Sequence, residues 1–124
     1  MKMKQLISYN PFSSSMSSKV RVRNNVCNKS STIEVSMNGN CEFDVSIESD
    51  CQNVTRFAEF LPVLTMDDLT DKKNSIVIRT YQEQEMSANC LVPAGILTAA
   101  WMEAGMVSKN RFKAVERNCV EYIE

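Results

Sequence analysis

The stretch from Thr32 to Ile47 alternates in polarity on both sides of an Asn-Gly pair. Successive side chains of a strand point to opposite faces, so Ile33, Val35 and Met37 share one side. Phe43, Val45 and Ile47 share one side of the second run, Phe43-Asp44-Val45-Ser46-Ile47. Asn38-Gly39 between them is the strongest short signal for a hairpin. The two apolar sides then coincide, and a half-buried antiparallel hairpin must lay that face on other apolar surface.

The flanking segments say what that surface is. Upstream, Val20 and Val22 alternate with Arg21 and Arg23, which predicts an extended segment. Downstream, Val54, Phe57, Ala58 and Leu61 recur at helical spacing, with Asp50 or Ser49 to cap the helix and Pro62 to limit it. Cys51 then falls in the first turn. Thr65 opens a second short turn, with Asp67 and Asp68 where the helix dipole favours acids. Ser75 to Met86 reads equally as a strand, by its β-branched start, or as a helix, by its second half. Pro93 suits the first turn of a further helix whose apolar positions are Ile96, Leu97, Ala100, Trp101 and Ala104, and Gly105 ends it. Val115 to Ile123 has weak strand character, suited to an edge strand or a docked helix. The expected class is α+β: an antiparallel, hairpin-led sheet packed on two or three helices.

Residues 1–18, with the run Ser13-Ser14-Ser15-Met16-Ser17-Ser18, bury too little apolar surface to offset the entropy of ordering them. They are expected to form a flexible tail ahead of a single domain spanning 19–124. A chain of 124 residues suits one modest core.

Charge and hydropathy exclude several functions. Net charge is −1 with acids and bases interspersed, so no basic footprint for nucleic acid exists. No apolar run approaches the roughly 20 residues that a membrane-spanning helix needs. Met1-Lys2-Met3-Lys4-Gln5-Leu6-Ile7 lacks the long apolar stretch of a secretory signal, which makes a cytoplasmic protein the expectation. The three scattered glycines build no phosphate-binding loop. Asp67 and Asp68 are adjacent, so on a helix they do not face each other as an acid–base pair.

The chain has five cysteines and no histidine. Without histidine, Cys–His and Ser–His catalysis cannot be built from this chain alone. In a reducing compartment an odd number of cysteines reads as free thiols, metal ligands or redox groups. Three hold architecturally distinct places: Cys27 just before the hairpin, Cys51 at the start of one helix, and Cys90 three residues before Pro93. Helix starts stabilise thiolates, the form that ligates metals. Brought together, Cys27, Cys51 and Cys90 would suit zinc, iron or an iron–sulfur cluster. Asp50, Glu48, Asn28, water or a protein partner would supply the fourth ligand. No Cys-x-x-Cys pair occurs, and a single cysteine is more often a small buried apolar residue than a ligand. Cys41, at the hairpin tip, and Cys119, near the C-terminus, are read as non-functional on that ground.

The order of these features resembles the iron–sulfur scaffold proteins of the NifU/IscU type. Those carry a cysteine ahead of an antiparallel hairpin, a second at the start of the first helix, and a third before a later helix. Ser49-Asp50-Cys51-Gln52-Asn53-Val54 and Cys90-Leu91-Val92-Pro93-Ala94-Gly95-Ile96-Leu97 also resemble a family of small uncharacterised prokaryotic proteins with a Cys-Pro-Val-Pro motif. The likeness spans roughly residues 24 to 107. It implies a NifU/IscU-like fold and a metal or iron–sulfur site on the three cysteines. Two departures are visible. Asn28-Lys29 follows Cys27 where the scaffold proteins have Gly-Asp, and Leu91 replaces the first proline of the smaller family's motif. Two other functions fit the same residues: a metal-free protein-interaction module on this fold, and a thiol sulfur carrier using Cys51 or Cys90. Neither requires an enzyme.

Overall fold

A computed structural model describes residues 17–124 of the chain. Three antiparallel strands form one sheet in the order β1-β2-β3, with β1 at Ser17–Asn24, β2 at Lys29–Met37 and β3 at Phe43–Ser49. Five helices follow: α1 Gln52–Phe60, α2 Met66–Thr70, α3 Ile76–Glu83, α4 Val92–Glu103 and α5 Lys109–Val115. The architecture is α+β, with five helices rather than two or three, of which α2 and α5 are short, at five and seven residues.

Val35 pairs with Val45, and Ile33 with Ile47, so the apolar sides of the central hairpin coincide as the alternation requires. The connection is not a two-residue Asn-Gly turn. Met37 pairs with Phe43, which leaves residues 38–42 as the loop. Asn38 organises it: its Oδ1 accepts from the backbone N–H groups of Asn40 (2.8 Å) and Glu42 (3.2 Å). The left-handed conformation falls on Cys41, at φ 59°, and not on Gly39.

The core lies on one side of the sheet. Helix α4 covers β1 and β2, α1 covers β3, and α3 wedges against both α1 and α4. Ile33, Val35, Phe43, Val54, Phe57, Leu64, Val77, Val92, Ile96 and Ala100 are buried there. Gly95 lets α4 approach closely, since a Cβ there would overlap Val22 Cγ2. The other face of the sheet carries exposed Lys19, Arg21 and Arg23 on β1 and exposed Asp44, Ser46 and Glu48 on β3.

Within residues 75–86 the helical alternative holds, as α3 over Ile76–Glu83. Ser75 caps α3 by accepting from Val77 N–H, and Asp68 Oδ1 accepts from Ile76 N–H at 3.0 Å. Asp68 also completes a capping box with Thr65 at the start of α2. Its place next to Asp67 is therefore structural. Helix α4 ends in a Schellman arrangement: Gly105 N–H donates to the Met102 carbonyl and Met106 N–H to that of Trp101. Gly105, at φ 78°, supplies the left-handed residue.

Two boundaries shift. Ser17 and Ser18 pair with Ser36 and Val35, so strand β1 takes in the last two residues of the expected tail; residues 1–16 lie outside the described residues. At the other end, 116–124 form neither the edge strand nor the helix expected for Val115 to Ile123. Val120, Tyr122 and Ile123 find no apolar partner there and stay exposed.

Candidate thiol site

Strand register decides which loops meet. Asn24 pairs with Lys29 and Ser31 with Ser49, so the 25–28 turn, the start of β2 and the end of β3 share one end of the sheet. Cys27 sits within that turn, which joins β1 to β2, rather than ahead of a single hairpin. Its backbone N–H donates to the Asn24 carbonyl at 3.0 Å, and its side chain is exposed. Asn28 beside it takes φ 57°, a conformation asparagine tolerates.

Cys51 occupies the N-cap of α1 with extended backbone, one place earlier than the expected first turn. The shift has a cause in the expected caps. Asp50 turns back to β2, where its Oδ1 accepts from Ser30 N–H at 2.9 Å. Ser49 Oγ accepts from Cys51 N–H at 3.0 Å instead of reaching into the helix. Cys51 is half-buried against the core and makes no side-chain cap bond.

Cys90 precedes α4 and is also half-buried against the core. Asn24, the last residue of β1, fixes this loop to the sheet. Its Nδ2 donates to Cys90 Sγ at 3.7 Å, and its Oδ1 accepts from Leu91 N–H at 3.1 Å. Sequence reasoning missed Asn24. An asparagine closing a strand before a turn is commonplace, and only the fold places Cys90 and Leu91 within its reach.

Burial pushes the Cys90 thiol above its ordinary pKa, opposed by donation from the Val92 backbone N–H and the Asn24 amide. The charges of Cys51 and Cys27 raise it further. The three cysteines singled out in the sequence thus lie on segments that share one end of the sheet. Among the described residues, no three Cys, Asp or Glu side chains stand close enough to hold a metal ion as they are. Cys41 lies in the 38–42 loop at the opposite end of the sheet, and Cys119 is exposed in the segment after α5. An open groove lined by Ser30, Ile47, Glu48, Ser49, Asp50 and Thr55 runs beside Cys51.

The molecule is a small α+β protein with three thiols gathered around one sheet end. It belongs to DUF6951, a family of unknown function whose model matches residues 18–115, from β1 through α5. All three cysteines of the corner fall within that span, and Cys119 falls outside it. No curated protein matches the chain, and no solved structure does. Among the described residues no helix is long and apolar enough to cross a membrane.

Proposed function

We propose that the chain is a small metal or iron–sulfur binding protein whose ligands are the thiolates of Cys27, Cys51 and Cys90. The observation that carries this reading is the meeting at one sheet end of the 25–28 turn, the N-cap of α1 and the loop before α4, where Asn24 ties Cys90 and Leu91 to the end of β1. Binding a soft metal displaces thiol protons, so thiols that share one sheet end become ligands as the metal enters. Three thiolates and no histidine make a donor set for zinc, iron or an iron–sulfur cluster. Ligation would require the turn at 25–28 to close on Cys51 and Cys90. That turn is exposed, and the Cys27 side chain is held by none of the hydrogen bonds described for the turn. A reducing, cytoplasmic setting suits free thiols in this role. The cysteine order shared with NifU/IscU-type scaffolds supports the same reading. A sulfur-carrier role is disfavoured at Cys90, because half-burial raises its thiol pKa and a protonated thiol is a poor nucleophile.

The experiment is purification without oxygen, followed by metal and sulfide analysis and an absorption spectrum. Wild type is expected to carry about one metal ion or one cluster per chain after reconstitution, a stoichiometry typical of a thiolate site of this size. Cys27→Ser, Cys51→Ser and Cys90→Ser should each lose it, while Cys41→Ser retains it. Wild type that stays metal-free after reconstitution sinks the proposal and leaves the metal-free interaction module.

A further inference from the structure

The 38–42 loop holds a reactive pair. Asn38-Gly39 is the one place in the chain where glycine follows asparagine. Such a pair can cyclise when the glycine's backbone nitrogen attacks the asparagine Cγ, because no Cβ on glycine blocks the approach. Gly39 is exposed, and beyond its chain neighbours nothing lies within 4 Å of where a Cβ would stand. Among the described residues its N–H donates no hydrogen bond, so the nucleophile is not tied into the strand ladder.

The fold prepares the electrophile. Asn38 Oδ1 accepts from the Asn40 N–H at 2.8 Å and from the Glu42 N–H at 3.2 Å. Two backbone donors on one amide oxygen draw charge away from Cγ. They also stabilise the oxyanion that forms when Cγ is attacked, as the paired donors of an oxyanion hole do. The Asn40 bond closes a small ring that runs from Oδ1 through Cγ and along the backbone through the Gly39 nitrogen. Nucleophile and electrophile are therefore members of one ring. The leaving nitrogen has a separate partner, since Asn38 Nδ2 donates to Asp44 Oδ1 at 3.4 Å.

We infer that Asn38 is a site of intramolecular deamidation in the folded protein, with the Asn40 and Glu42 N–H groups as its oxyanion donors. The Gly39 nitrogen forms a bond to Asn38 Cγ and the Cγ–Nδ2 bond breaks. The proton of the Gly39 N–H leaves, through solvent, on the ammonia released. Water then opens the succinimide. Attack at Cγ leaves aspartate with the backbone intact, and attack at the main-chain carbonyl leaves isoaspartate, whose backbone runs through the former side chain. Aspartate at position 38 sets a second carboxylate against Asp44, and like charges there repel. Isoaspartate turns the main-chain carbonyl that accepts from Cys41 N–H at 3.2 Å into a pendant carboxylate. Both products loosen the connection between β2 and β3.

The test is ageing of the full folded chain at neutral pH in reductant, beside a synthetic peptide of residues 37–44. Peptide mass spectrometry follows the succinimide and its hydrolysis products. A protein-isoaspartate methyltransferase with a labelled methyl donor counts the isoaspartate. Asn38 in the folded chain should convert at least as fast as in the peptide, which has the same Asn-Gly pair without the fixed donors. A folded chain that converts more slowly than the peptide overturns the inference. Gly39→Ala should slow conversion in the folded chain by roughly tenfold, about 1.4 kcal/mol in the barrier, because its methyl hinders the approach of its own nitrogen to Cγ. The methyl meets nothing else within 4 Å, so an unchanged circular dichroism spectrum is expected of this variant. Equal rates in wild type and Gly39→Ala also overturn the inference.

Discussion

Cys41 and Gly39 exchange the roles their residue types suggest. A hairpin built on Asn38-Gly39 alone would need positive φ at glycine, yet Cys41 takes it, at 59°. A side chain with a Cβ in the left-handed region costs about 1 kcal/mol. Cys41→Gly is therefore expected to raise stability by up to about 1 kcal/mol. Gly39→Ala should be neutral or slightly stabilising, because its backbone is not left-handed and nothing lies within 4 Å of the added methyl. Urea melts on both variants check this; a Gly39→Ala loss above about 1 kcal/mol would mean that the glycine does hold the turn. The hairpin itself was legible because alternation is a property of neighbouring residues. The turn was not, because Asn38 caps the backbone through its side chain and so lengthens the loop to five residues. Cys90 gives a second residue-scale expectation. Its folded pKa lies above the unfolded one, so the fold prefers the neutral thiol. That contribution is fully present below the unfolded value and is lost as pH rises through the folded value. Stability should fall in mildly alkaline solution, and Cys90→Ala should flatten the decline. Asn24→Ala removes a donor to Sγ and should slow Cys90 alkylation at a given pH, read by peptide mass spectrometry.

Among the elements, α3 and α5 mark the limits of pattern reading. The Ser75–Met86 stretch was ambiguous because Ile76, Val77 and Ile78 suit either period. Contacts distant in sequence decide it: Val77 is buried under α1 and α4, and Asp68 holds the N–H of Ile76. Helix α5 was missed because it buries no residue and so writes no apolar stripe. Its start is held instead by a carboxylate on another helix. The side chain of Glu103, 3% exposed at the end of α4, accepts from the Ser18 hydroxyl (2.9 Å) and the Met37 N–H (3.3 Å). Lys109 at the first turn of α5 lies 3.5 Å from the same carboxylate and donates to the Ser17 carbonyl at 3.0 Å. One side chain thus ties α4 to β1, β2 and α5. Glu103→Leu would strand the Met37 N–H and the Ser18 hydroxyl, a loss of about 2 kcal/mol. Glu103→Gln keeps an acceptor and should cost less. A lowered urea midpoint with unchanged slope is the expected reading, and equal midpoints for the two variants would contradict it. Close approach is equally invisible in a sequence pattern. Gly95→Ala should cost about 1–3 kcal/mol, as its methyl would press on Val22 and Ile33.

At the scale of the whole molecule, the sheet's two ends differ in what holds them. One end is closed by the Glu103 carboxylate and the 38–42 loop. The other gathers three separate chain segments, the 25–28 turn, the start of α1 and the loop before α4, around Asn24 and the three thiols. Their sequence positions were legible, and so was the order of elements, which implied that Cys27, Cys51 and Cys90 could meet. The degree of approach was not, because it depends on Asn24 and on Asp50 turning back to Ser30. If a metal binds there, it joins segments far apart in the chain and is bound by the folded state far more strongly than by the unfolded one. Free metal at about one hundred times Kd then adds about 2.7 kcal/mol to stability. For a domain of this size that raises Tm by about 10 °C. Cadmium, a soft divalent ion, is the convenient probe, since thiolate coordination also gives an ultraviolet charge-transfer band. Wild type and Cys41→Ser should show the shift equally, because Cys41 lies at the far end of the sheet. Cys27→Ser, Cys51→Ser and Cys90→Ser should each abolish it, as should the triple variant. An identical shift in the triple variant would assign the binding to other residues, and no shift in wild type would remove the metal site from this end of the sheet.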